Sequence, residues 1–275
     1  MRLDPEPTPG AGELKEFLMR ILLTNDDGIS SRGLHVLVAA FGAIADTFVV
    51  APEHERSATG HAITLHKPLR AVPAHLASTT VTATVTAWST NGTPADCVAL
   101  GLLELLPARP DLVVSGINVG PNIGRDLTYS GTVSGAMEAA IFGVPAIAVS
   151  ISEFRNPIFE VAAAFSVRLA QAILERGLPE DTLLNVNVPN LPAGEIAGVE
   201  ITRQSSRGYL TRVDKRTDPR GRSYYWMTGR PAPVPEEEGS DTWAVTHGRI
   251  SVTPIGLDMT NLRAVTALKA WGLSL

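Results

Sequence analysis

From Met19 onward, short apolar runs alternate with longer stretches of helical periodicity, and that alternation admits few folds. Strand candidates fall at residues 20–24, 47–51, 112–115, 146–150 and 183–188, with helical patterns between them at 34–41, 95–106, 133–142 and 157–175. The strands are rich in Val, Ile and Leu on both faces, as strands covered by helices on both sides must be. Strands joined by helices cross over and so run parallel. The expectation is an α/β fold: a three-layer α/β/α, Rossmann-like core around a mostly parallel sheet. Residues 79–90 differ in alternating Thr with Val or Ala, the pattern of a half-exposed strand near a sheet edge.

Beyond Asn190 the character changes. Arginines, glycines and aromatics dominate residues 203–230, with Asp218-Pro219-Arg220-Gly221 as a turn between two strand-like arms and Tyr224-Tyr225-Trp226 in the second. This predicts a projecting C-terminal β-hairpin. Isolated hairpins are marginal in water, so it is expected to pack on another surface, such as a second subunit. The acidic residues 235–238 read as a solvated loop.

At 275 residues the chain can bury a sizeable core. Its formal net charge of −5 offers no basic footprint for dedicated nucleic-acid binding. The single cysteine, Cys97, sits in an apolar stretch; it excludes an intramolecular disulfide and fits a reducing compartment. No apolar run is long enough to span a bilayer and the first residues lack a secretory pattern, so a cytoplasmic location without membrane association is expected.

In open α/β sheets ligands bind beyond the carboxyl ends of the strands, and the loops there are unusual. The first strand ends in Thr24-Asn25-Asp26-Asp27-Gly28. Two adjacent carboxylates repel unless a cation or hydrogen-bond donors compensate, and oxygen donors suit a hard ion such as Mg²⁺, Mn²⁺ or Ca²⁺. The plainer reading is a turn with both acids in solvent. The second loop, from Ala51 to His61, is dense in charges, hydroxyls and imidazoles. Of the histidines, His54 and His61 are candidates to lie near a substrate, while His35 reads as structural. The third loop, Ser115-Gly116-Ile117-Asn118-Val119-Gly120-Pro121-Asn122, combines glycines with two amides. The fourth, Tyr129-Ser130-Gly131-Thr132, places hydroxyls where a helix begins, either as a phosphate cradle or simply as a cap. A fifth turn, Asn91 to Asp96, borders the same cleft or caps a helix. No phosphate-loop or Gly-x-Gly-x-x-Gly fingerprint occurs.

Taken together, these motifs, with Gly92-Thr93-Pro94-Ala95-Asp96-Cys97, Asn185-Val186-Asn187-Val188-Pro189 and Ser251-Val252-Thr253-Pro254, resemble the SurE survival-protein nucleotidases. The match runs from Met19 to about Ile255; the preceding segment has no counterpart in the family pattern and reads as a loose extension or an upstream start. The resemblance implies a metal-dependent phosphatase that hydrolyses nucleoside monophosphates, 5′ and in some members 3′, or polyphosphate. It implies one divalent ion, Mg²⁺ or Mn²⁺, per subunit. Carried over by position, the metal ligands are Asp26, Asp27, Ser57 and Asn118, with the two aspartates also catalytic. Asn25, Asn122, Ser130, Gly131 and Thr132 then contact substrate or phosphate. Homodimers or homotetramers with hairpin exchange are implied too. The expected organisation is an extension at 1–18, the α/β core with the active site at 19–190, and a hairpin and helical region at 191–275 that completes the core and the oligomer interface.

Two other readings fit the loops. A phosphatase with a covalent aspartyl-phosphate also places an acid after its first strand, but usually as Asp-x-Asp. A non-catalytic nucleotide-sensing module needs the same anion cradle.

Overall fold

The computed structural model of the chain describes residues 19–76, 85–232 and 237–273. In chain order the elements are β1 (Arg20–Thr24), α1 (Arg32–Gly42), β2 (Asp46–Pro52), β3 (Ala71–Ala74), β4 (Val85–Thr90), α2 (Pro94–Leu100), β5 (Leu112–Val119), α3 (Gly131–Ile141), β6 (Ala146–Ser152), α4 (Phe159–Arg176), β7 (Thr182–Pro189), β8 (Val199–Ile201), β9 (Tyr209–Thr217), β10 (Ser223–Pro231), α5 (Asp241–Thr246), β11 (Ile250–Gly256) and α6 (Leu262–Lys269). A nine-stranded sheet has the order β3-β4-β2-β1-β5-β6-β7-β11-β8. The six strands from β4 to β7 are mutually parallel.

Alternation along β1 shows why the sheet needs two helix layers. Ile21 and Leu23 pack toward α1 and α4, among Leu34, Leu37, Phe41 and Phe159. Leu22 points the other way, toward Cys97 and Val98 of α2 and Val133, Ala136 and Ala139 of α3. Helix α3 approaches the sheet closely because it presents small residues: a β-carbon on Gly135 would lie 2.9 Å from Ser115 Oγ and 3.1 Å from Thr24 Cγ2. That close seating carries the start of α3 to the end of β1.

All five expected strands and four expected helices are present, with three differences. Strand β5 runs to Val119 rather than Ser115, through a register shift between Ser115 and Asn118, so Asn118 pairs with Ser150 inside the sheet. The helix expected over 95–106 is α2 followed by a π-helical turn, Gly101–Leu105. Strands β3, β8 and β11 are additional; β11 pairs antiparallel with β7 and brings the C-terminal region into the sheet. Of the strand expected over 79–90, β4 lies next to edge strand β3, and residues 77–84 fall outside the described residues, as does the 1–18 segment. In the acidic stretch, residues 233–236 are likewise outside, while Glu237 accepts a hydrogen bond from Arg203 Nη1 at 2.7 Å.

The hairpin forms as expected, β9 and β10 making a separate two-stranded antiparallel sheet. Its turn is closed by Asp218, whose Oδ1 accepts from the backbone amides of Arg220 and Arg222, each at 2.9 Å. Among the described residues, no helix is long and apolar enough to cross a membrane.

Candidate active site

Strand β1 lies between β2 and β5, so the loops leaving the carboxyl ends of β1 and β5 face one another across the point where the strand order reverses. Asn25 is fully buried there; its Nδ2 donates to Gly28 O at 3.0 Å and to Ser31 Oγ at 2.7 Å. It braces the acidic turn from beneath and does not line the cavity above. Gly28 takes φ +95°, and a β-carbon there would stand 3.2 Å from the His54 carbonyl carbon. The next loop is tied on directly, Arg56 N donating to Asp26 O at 2.7 Å.

Asp26 is buried against the start of α3. Its Oδ1 accepts from Thr132 Oγ1, and a β-carbon on Gly131 would sit 2.8 Å from its own β-carbon. Burial pushes the Asp26 carboxyl above its ordinary value, against the pull of the Thr132 hydroxyl and backbone amide. Asp27 is half-buried, and its Oδ2 is enclosed without any protein partner. Its carboxyl is pushed up to about 7, first by burial and then by the Asp26 charge, with the Val119 amide opposing.

A cavity of about 530 Å³ opens beside this pair. The fold brings Asp26, Ser57, Asn118, Asn122 and Ser130 to its wall. Gly131 and Thr132 stand behind Asp26 and reach it from there, and Asp27 is outside the lining. Asn118 donates from Nδ2 to Gly120 O at 2.8 Å, which leaves its Oδ1 as the atom available to a ligand. Ser57 is exposed, with its hydroxyl donating to Glu55 Oε1 at 2.5 Å. Ser130 both lines the cavity and caps α3, accepting from Val133 N at 3.1 Å.

Among the described residues no cluster of three His, Cys, Asp or Glu side chains is placed to hold a metal. A cation here would depend on the acid pair together with the hydroxyl of Ser57 and the amide oxygen of Asn118. That all-oxygen set fits a hard divalent ion, and the unpartnered Asp27 Oδ2 is an acceptor such an ion would satisfy.

A family model described as Survival protein SurE matches residues 21–211. The chain belongs to the SurE family. It is 52% identical over 253 residues to a protein named 5′-nucleotidase SurE from Heliobacterium modesticaldum, covering 92% of each chain. A protein of the same name from Geotalea uraniireducens is 51% identical over 257 residues, covering 93% of this chain and 100% of the relative. The crystal structure of the SurE protein from Aquifex aeolicus is 44% identical, with a TM-score of 0.78 over 92% of this chain and 100% of that one.

Several residues that shape this SurE site either lie outside the motifs or sit in a motif that gave them no role. Asn187 accepts from Asn122 N at 2.8 Å and donates to Asn122 O at 3.1 Å, while Asn185 donates to the same carbonyl at 2.8 Å. With Asn122 Nδ2 donating to Ser150 Oγ at 2.8 Å, the β5 loop is fastened to the ends of β6 and β7. Asp241, buried at the start of α5, accepts from Gly124 N at 2.8 Å and Ser205 N at 3.0 Å, joining that loop to the base of the hairpin. Arg125, Asp126, Tyr129 and Phe154 complete the outer wall. Tyr129 opens the fourth loop motif, which gave it no role; nothing local in the sequence marks Phe154 or Asp241.

Other candidates resolve differently. The Asn91 to Asp96 turn caps α2 through a reciprocal Thr93–Asp96 pair, and Asp96 also accepts from Thr64. Neither it nor His54 or His61 lines the cavity; His61 Nε2 instead pairs with Glu138 Oε2 at 2.6 Å. His35 faces the Ile29 carbonyl at 3.1 Å. Cys97 is fully buried and outside the cavity lining, with its thiol pushed up to about 12 by burial, the setting of a core side chain.

Proposed function

We propose that this chain is a metal-dependent phosphomonoesterase that hydrolyses nucleoside 5′-monophosphates to nucleoside and phosphate. The observation that carries the reading is the meeting of Asp26, Ser57 and Asn118 at the wall of one cavity at the sheet's reversal point, with Asp27 next to Asp26 in the chain. The names of its relatives agree with it. Asp26, Asp27, Ser57 and Asn118 would hold the cation. When bound, it would supply Lewis acidity at the phosphoryl oxygen and lower the pKa of water.

The protein's own groups account for the rest. Asp26 is committed through Oδ1 to Thr132, whereas Asp27 Oδ2 is without a protein partner and would take the cation. Ser130, at the start of α3, stands where negative charge on the phosphoryl group would be stabilised by the helix dipole. Asn122, held by Asn187 and Ser150, offers a fixed amide edge to the phosphate. Water adds to phosphorus, the ester P–O bond breaks, and the departing nucleoside oxygen takes up a proton.

The hairpin exposes Tyr225, Trp226 and Met227, which supports an assignment as the contact surface for a second copy in a dimer or tetramer. Release of inorganic phosphate from AMP with Mg²⁺ or Mn²⁺, stopped by chelator and restored by excess cation, tests the function. Binding of AMP without release under every cation would leave a nucleotide-sensing module and overturn it.

A further inference from the structure

We infer that Phe154 is the platform on which the substrate's base stacks, with Tyr129 as a second aromatic contact in the same cavity; this rests on the nucleotidase reading above. Phe154 follows β6 and lines the cavity, yet 69% of it is exposed. Its ring lies against Gly120, where a β-carbon would run into ring carbons Cε1 and Cζ. Gly120 takes φ +100°, and no larger residue would leave the ring its seat. The turn presenting the ring is closed by Glu153, whose Oε1 accepts from the Phe154 amide at 2.7 Å and the Arg155 amide at 2.8 Å. A ring seated against a main chain and still more than half exposed is a stacking surface held in place before any ligand arrives.

Tyr129 is 67% exposed and lines the same cavity. Its backbone is held too: its carbonyl accepts from Gly60 N at 3.1 Å, and the next residue caps α3. The cavity therefore has two kinds of wall, oxygen donors around Asp26 for the phosphate and aromatic rings for the organic part. Stacking tolerates any base, since each has a π-face, and favours larger rings. Broad base acceptance with lower KM for purine nucleotides follows. The Tyr224-Tyr225-Trp226 run on the hairpin is not part of this wall.

The test compares AMP with ribose 5-phosphate, which carries the same phosphate and sugar without a base, both with Mn²⁺. In Phe154→Ala, KM for AMP is expected to rise about 5- to 100-fold with kcat little changed, because stacking is made equally in the ground and transition states. The kcat/KM for ribose 5-phosphate should change less than about twofold, since that substrate lacks the group that stacks. Phe154→Trp restores AMP, whereas Phe154→Leu, of similar bulk but without a π-face, does not. An equal loss on both substrates, or none on AMP, overturns the platform while leaving the nucleotidase reading in place. If the wild-type protein releases phosphate from neither substrate, the nucleotidase reading falls. Calorimetric titration with AMP then decides the platform alone: weaker binding in Phe154→Ala upholds it, and unchanged or absent binding in the wild type and variant overturns it.

Discussion

Gly131 lies so close to Asp26 that a β-carbon on the glycine would stand 2.9 Å from the carboxylate Oδ2. The start of α3 is thereby a rigid backing for the residue proposed to face the cation. Gly131→Ala should displace the Asp26 carboxylate and lower kcat/KM on the order of 100-fold, because small misplacements in a reacting constellation are amplified. Steady-state phosphate release beside a circular dichroism spectrum checks this; full activity in a folded variant would refute the tight backing.

Asp27 differs from Asp26 in having an enclosed oxygen with no protein partner. Asp27→Asn is expected to abolish turnover at saturating Mn²⁺ while the metal-free protein melts no lower than the parent, since an unpaired buried acid has been neutralised. Retained turnover, or a folding defect, would contradict the assignment.

The same acid gives the metal-free protein a pH dependence of definite sign. The folded-state carboxyl titrates near 7 against an ordinary 3.8, so between those values the folded chain binds more protons than the unfolded one. Stability then falls as pH rises across that window and levels off above it. Melting temperatures measured in chelator should decrease from about pH 4 to about pH 7. Asp27→Asn should shallow that slope, and Mn²⁺ should raise the melting temperature most at the alkaline end, where no proton competes for the site. A melting temperature that climbs through the window in chelator would be the opposite result.

Asn187 supplies two of the hydrogen bonds that fasten the Asn122 backbone. Asn187→Ala leaves a buried amide unpaired and should cost about 1–3 kcal/mol of stability. It should also raise KM for AMP, because the loop proposed to face the phosphate loses its anchor. Chemical denaturation and KM measured on one preparation test both effects, and a variant with parental KM would show that Asn185 and Ser150 suffice.

The parallel core was legible in the chain because burial on both faces writes itself into local composition: β1 and the cores of β2, β6 and β7 coincide with Val/Ile/Leu runs. The acidic turn, the Asp218 hairpin turn and the helix start at Ser130 were legible for a similar reason, each depending on residues adjacent in sequence. What the sequence alone determined was thus which segments are strands, which faces are buried, and which loops carry oxygen donors. The tertiary structure alone decided which of those donors meet. Asn25 turned beneath its loop, Asn122 became clasped by Asn185 and Asn187, and Phe154 came to rest on Gly120 across more than thirty residues of chain. The physical reason is that side-chain periodicity specifies burial against an apolar neighbour without naming the neighbour. Strand order and the close approach of α3 choose it, and β11, entering antiparallel beside β7, is held there by pairing that its own residues do not announce.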